Sequence, residues 1–149
     1  MSALSDVAHT IQLSVAPVFL LAGIGALLNV VASRLGRAVD RARALEEKLL
    51  ASPDVGETPR IRDELGVLDR RMLLAQRSIF LFSFSALLVC VLVAALFITD
   101  LANLRLGALV GFLFIGAMIA LIGGLSLFIT EVTLATRTLR VRAELLMKD

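Results

Sequence analysis

"IQLSVAPVFLLAGIGALLNVVASRLGRAVDRARALEEKL", residues 11–49, decides the fold. Its first 23 residues, 11–33, carry no charge, and four arginines and one aspartate then fall within residues 34–43. A bilayer core of about 30 Å takes about 20 helical residues to cross, and a backbone in lipid must satisfy its hydrogen bonds within the helix. The apolar half therefore reads as a transmembrane helix and the charged half as its continuation beyond the bilayer. Two more uncharged stretches follow, 22 residues at 78–99 and 25 at 106–130. With 58% hydrophobic residues and a mean hydropathy of +0.91, the chain differs from an ordinary soluble domain, which is about half apolar and a quarter charged. The expectation is an all-α membrane protein with three spans at about 11–33, 78–99 and 106–130.

The first span reads as retained. A cleaved signal carries its positive charges before a short apolar stretch, whereas here Arg34, Arg37 and Arg41 come after a long one. Ten of the fifteen Lys and Arg lie between the first two spans and four follow the third, with Arg105 alone in the short turn at 100–105. Basic residues stay on the cytoplasmic side, so the expected topology is N-out and C-in, with 34–77 cytoplasmic. Asp6 and His9 are too few for a metal site. Cys90, the single cysteine, implies no intramolecular disulfide and reads as a small buried hydrophobe.

The 34–77 segment reads as a helical hairpin. Leu35, Ala38, Ala42, Leu45 and Leu49 recur at three- and four-residue spacing, as do Ile61, Leu65, Leu68, Met72 and Ala75. "ASPDVGETP" at 51–59 is turn-like, and Thr58 can cap the second helix with Pro59 at its first position. Residues 34–50, 60–77 and 131–148 number 17, 18 and 18, each projecting roughly 25 Å if helical. Leu134, Thr138, Val141 and Leu145 give the last of these an apolar stripe. Three equal extensions predict a cytoplasmic helical bundle continuous with the spans. Pro17 is expected to bend or end its turn.

A seam of mostly small residues runs along the first helix: Val18, Ala22, Gly25, Asn29, Ala32, Gly36, Val39 and Arg43. Helices in lipid associate through close approach at small residues and through interhelical hydrogen bonds. The seam is therefore expected to pack inside one subunit or against another, and Gly107xxxGly111 and Gly116xxxAla120xxxGly124 offer matching surfaces in the third span. Asn29, a strongly polar side chain deep in a span, reads as an interhelical hydrogen-bonding residue or as part of a pathway. Ser83, Ser85 and Ser126 can bond back to their own helices.

Arg37 and Arg43 lie three residues either side of Asp40 and can pair with it, in a bundle or between subunits. Arg34, Arg77 and Arg137 end their spans and are candidates for lipid headgroups. Glu131 sits where the third span ends. It can pair with Arg34 or Arg37, or form an acidic ring in an oligomer. A basic helix flush against a bilayer, interleaved with acids and free of aromatic residues, does not suit nucleic acid. Neither a nucleophile–base arrangement nor a phosphate loop or metal motif occurs, so no enzyme, cofactor or metal is expected.

Ala16-Pro17, Leu28-Asn29 and Arg34-Leu35-x-Arg37-x-x-Asp40-Arg41-x-Arg43 resemble a bacterial family of small membrane proteins with an uncharacterised domain, DUF2721. The resemblance, which extends over nearly the whole chain, implies a multi-pass protein of the bacterial inner membrane. It implies no activity and no site residues. Two functions stay open: a homo-oligomeric ion channel or pore lined by the first helix, with Asn29, Gly25, Arg37, Asp40 and Glu131 as candidates, and a non-transporting scaffold or accessory subunit whose cytoplasmic bundle binds a protein partner.

Overall fold

In a computed structural model the chain forms three helices, α1 (Ser2–Ala51), α2 (Thr58–Leu101) and α3 (Gly107–Leu146). Residues 2–51, 58–101 and 107–146 are described, with backbone alone at 2–11, 13, 14, 100, 101 and 137–146. Six positions of the 51–59 turn and all of 102–106 lie outside the described residues, as do the side chains of Asp6, His9, Arg137, Thr138, Val141 and Leu145. All three helices are long and apolar enough to cross a membrane, with candidate spans Val15–Ala51, Thr58–Thr99 and Gly107–Thr136. The chain is a multi-pass membrane protein in contact with lipid.

The charged extensions are helical without interruption, and Pro17 neither ends α1 nor splits it. Apolar spans tolerate such a proline because neighbouring groups re-satisfy the freed carbonyl. The described part of α2 begins at Thr58.

Each helix contributes to two compact units, Met1–Asn29 with Phe80–Gly124, and Val30–Ile79 with Leu125–Asp149. The division falls close to where charge begins on each helix. In the first unit the interior holds Pro17, Ile24, Phe82, Ser85, Val89, Leu92, Ala117, Ala120 and Gly124. Its outside is apolar too: fifteen of the twenty exposed large hydrophobics of the described residues belong here, Phe19, Phe80, Phe112 and Ile119 among them. In the second unit Ala38, Ala42, Leu45, Ile61 and Leu68 form the core, with Leu49, Leu65 and Met72 packed against it. That is the pair of stripes read from the sequence.

The buried positions recur every seven residues. One series on α1 is 17, 24, 31, 38 and 45; on α2, 61, 68, 75, 82 and 89; on α3, 117, 124 and 131, with Ala42, Ser78, Ser85, Leu92 and Ala120 buried beside them. Such a repeat keeps one seam of a helix against its neighbours. Of the two placements expected for the small-residue seam of α1, packing inside the subunit is not the one found. Val18, Ala22, Gly25, Asn29, Ala32 and Gly36 are all exposed, and a Cβ added to Gly25 or Gly36 would meet nothing within 4 Å. The seam lies one residue, about 100° of rotation, from the buried stripe. Ile24 and Val31 take the interior, and close approach is made by α3 instead.

Gly124 is where that approach is closest. An added Cβ would stand 2.8 Å from Cδ1 and Cε1 of Phe82, whose ring is fully buried. Gly123 and Gly116 face Leu81 and Leu88 in the same contact, at 3.2 and 3.5 Å. A Cβ added at Gly107 or Gly111 would meet nothing within 4 Å. Ser85 bonds across the interface rather than to its own helix, its hydroxyl donating to the Ala117 carbonyl at 2.8 Å. Cys90 is exposed rather than buried.

Gly124→Ala sets overpacking of about 1–3 kcal/mol against a helix-propensity gain of about 1 kcal/mol. With the Phe82 ring fully buried, the expected result in denaturant titrations of the micelle-bound protein is a net loss. Gly66→Ala, where the added Cβ meets nothing, should instead stabilise by about 0.5–1 kcal/mol.

Candidate functional site

On α2 the residues three places after the apolar series form a second seven-residue series, Glu64, Arg71, Ser78, Ser85 and Leu92. Of its polar members, Glu64, Arg71 and Ser85 bond to other helices and Ser78 is fully buried. On α1 the equivalent places in the charged half hold Arg34 and Arg41, seven residues apart. Arg41 donates from Nε and Nη2 to Glu64 Oε1 at 3.0 and 2.9 Å, in an exposed pair.

Where charge begins on α3, Glu131 draws all three helices together. Its side chain is 4% exposed. Oε2 accepts a hydrogen bond from Arg34 Nε at 3.0 Å. Oε1 accepts two from Arg71, from Nε at 3.1 Å and Nη2 at 3.0 Å. Arg34 also lies over the Phe128 ring, 5.9 Å from its centroid, within range of a cation–π attraction. A buried carboxylate needs compensating partners, and here both oxygens have them. Arg71 holds one oxygen through two nitrogens, which fixes the guanidinium plane.

The other candidates lie elsewhere. Arg37 is exposed and donates to Ser33 Oγ at 2.9 Å, one turn back along α1, rather than to Glu131 or Asp40. Asp40 is exposed, and among the described residues no ion pair joins it to Arg37 or Arg43. Both positions fall off the buried stripe, so the expected charge cluster around Asp40 is a solvated face. Asn29 and Gly25 are on the outward seam of α1, and Arg77 is exposed. Glu131, buried between two arginines, does not present a free carboxylate. Arg71 was not anticipated from the sequence. The seven-residue register linking it to Ser78 and Ser85 is the signal that marks it.

A family model, DUF2721, a protein of unknown function, matches residues 14–141. No curated protein and no solved structure matches the chain.

Glu131→Gln would leave two half-buried guanidiniums facing a neutral amide. Because both arginines keep some access to solvent, the expected cost is about 1.5–3 kcal/mol, the range for hydrogen bonds to charged groups. Arg41→Ala removes an exposed pair and should cost about 0–1 kcal/mol. Chemical unfolding of the two variants in detergent separates these values.

Proposed function

The chain belongs to the DUF2721 family, and we propose that it is a homo-oligomeric, non-catalytic scaffold of the bacterial inner membrane, assembled through α1. One observation carries the reading: the small-residue seam of α1 faces outward with Asn29 at its centre. Val18, Gly25, Ala32 and Val39 alternate with Ala22, Asn29, Gly36 and Arg43 at spacings of four and three. That pattern lets a second helix approach closely. Among the described residues nothing bonds to the Asn29 amide. In hydrocarbon an amide is costly without a partner. The same asparagine of a second copy supplies one, since each amide donates through nitrogen and accepts through oxygen.

The distribution of basic residues supports an N-out, C-in orientation. This would set Val30–Ile79 and the end of α3 in the cytoplasm, where the exposed faces of the helical bundle could hold a protein partner. A pore lined by α1 is the second reading, favoured by the polarity of Asn29. It needs a polar stripe through the bilayer, and the outward seam from Val18 to Gly25 is apolar. Glu131, engaged by two arginines, does not supply a free acidic ring.

Sedimentation in detergent is the test of assembly. Wild type should sediment as an oligomer, and Asn29→Leu and Gly25→Leu should each weaken association by about tenfold, since loss of about 1–2 kcal/mol per interhelical contact gives that order. Because both sites are outward, the helicity of each variant should stay that of wild type. A wild-type monomer ends both readings. Liposome ion flux that falls on Asn29→Leu would favour the pore over the scaffold.

A further inference from the structure

The cluster at Glu131 holds two guanidinium groups and one carboxylate, so one positive charge is left over. A single arginine would be enough to neutralise Glu131. The second therefore brings hydrogen-bonding capacity that the protein itself does not use. Arg34 donates to Glu131 through Nε, and its Nη1 and Nη2 meet no acceptor among the described residues. The same holds for Arg71 Nη1. None of these is sealed inside, because no buried side-chain nitrogen or oxygen lacks a partner. The two side chains are 26% and 21% exposed, so their outer nitrogens reach the surface while their stems are packed.

The cluster also lies at a defined level along the chain. Arg34 is the first charge after the uncharged run 11–33, and Glu131 is the first after 106–130. Arg71 is seven residues before the run that starts at Ser78, about 10 Å along α2. The headgroup layer adds roughly 5–7 Å on each side of the hydrocarbon, and an arginine side chain spans the difference by snorkelling. Phe128 beneath Arg34 belongs to the apolar side of this boundary.

We infer that Arg34 and Arg71, positioned by Glu131, form a binding site for the phosphate of an anionic phospholipid headgroup. The guanidinium fork matches the oxygens of a phosphate, and the leftover positive charge matches its single negative charge. Glu131 acts as the positioning residue: it takes Nε of Arg34 and Nε and Nη2 of Arg71 and leaves Nη1 of both and Nη2 of Arg34 for a ligand. The site rests on the membrane placement of the spans and is independent of assembly through α1. A free phosphate offers the same oxygens, so the test separates the two sources.

The experiment is native mass spectrometry of the full chain from micelles supplied with equal amounts of phosphatidylglycerol and phosphatidylcholine. Wild type should retain phosphatidylglycerol preferentially. Arg34→Gln and Arg71→Gln should each lower that preference about fivefold, the effect of about one interfacial cation. Arg70→Gln removes the same charge from an exposed neighbour and should leave it unchanged. Glu131→Gln is the sharpest arm. It makes the protein more positive, so a general attraction to anionic lipid would strengthen retention, whereas loss of the positioning carboxylate should weaken it. If Arg71→Gln does not fold by circular dichroism, Arg71→Lys replaces it: the charge stays, the two-nitrogen contact goes, and the preference should still fall. Equal effects of Arg70→Gln and Arg71→Gln, or stronger retention in Glu131→Gln, overturn the proposal. Displacement of the lipid by millimolar inorganic phosphate overturns the lipid as the ligand, and its failure to compete supports it.

Discussion

A carboxylate shared by arginines from two other helices is the constraint on which the charged part of this protein depends. The seven-residue repeat of buried positions favours lengthwise packing of the helices but does not by itself fix their alignment. Sliding one helix by seven residues would still bring apolar positions against apolar positions. It would also carry Glu131 away from Arg34 and Arg71 and leave a buried carboxylate without partners, which is strongly unfavourable. One ionic contact therefore chooses among alignments that apolar contact ranks almost equally, a role well attested for isolated polar residues in helical seams. Within the other unit Phe82 does the same by shape. Its ring fits over Gly124 and would meet a Cβ at the neighbouring repeat position, Ala117.

The sequence showed the number of helices, their lengths and their continuity through the charged segments, because charge stops where lipid begins. It also showed the buried stripes Ala38–Ala42–Leu45 and Ile61–Leu68–Ala75, where one face of a helix meets its neighbours and the other meets charge. It did not show which face of α1 is buried between residues 17 and 31. There the outside is as apolar as the inside, so hydrophobic periodicity carries no information about direction. The sequence left the small-residue seam with Gly25 and Asn29 open between the subunit's interior and its outside, and the structure puts it outside. Within the site, the nearness of Glu131 to Arg34 was legible from their shared position at the end of an apolar run. Arg71 was hidden beside Arg70, and its polar column becomes visible only when the α2 register is followed through Ser78 and Ser85.

That column shows how polar groups are handled along one helix. In the apolar unit its member is a small hydroxyl, Ser85, which spends its donor on the Ala117 carbonyl. In the charged unit its members are Arg71 and Glu64, each engaged with an oppositely charged partner from another helix. Ser78, fully buried, lies between them. Polarity in the series thus rises as the helix leaves the uncharged run, while the adjacent apolar series from Ile61 to Val89 stays constant. The constant series gives packing, and the graded one gives specificity.

α1 divides its duties in the same way, around its circumference. Arg34 is two residues beyond Ala32 and two before Gly36, roughly 160–200° of rotation from either. The face that meets Glu131 is therefore opposite the small-residue seam. A helix built to serve its own bundle alone would have no reason to keep glycine on its far side, where almost any other side chain would strengthen the helix. One arginine would balance the charge of Glu131, so the second, which serves the other carboxylate oxygen, leaves a positive charge in excess. Both features are surpluses relative to what the isolated fold requires, one of close-approach surface and one of positive charge. Because they lie on opposite faces of one helix, a second chain and a lipid headgroup could occupy them at the same time, each leaving the other's contacts intact.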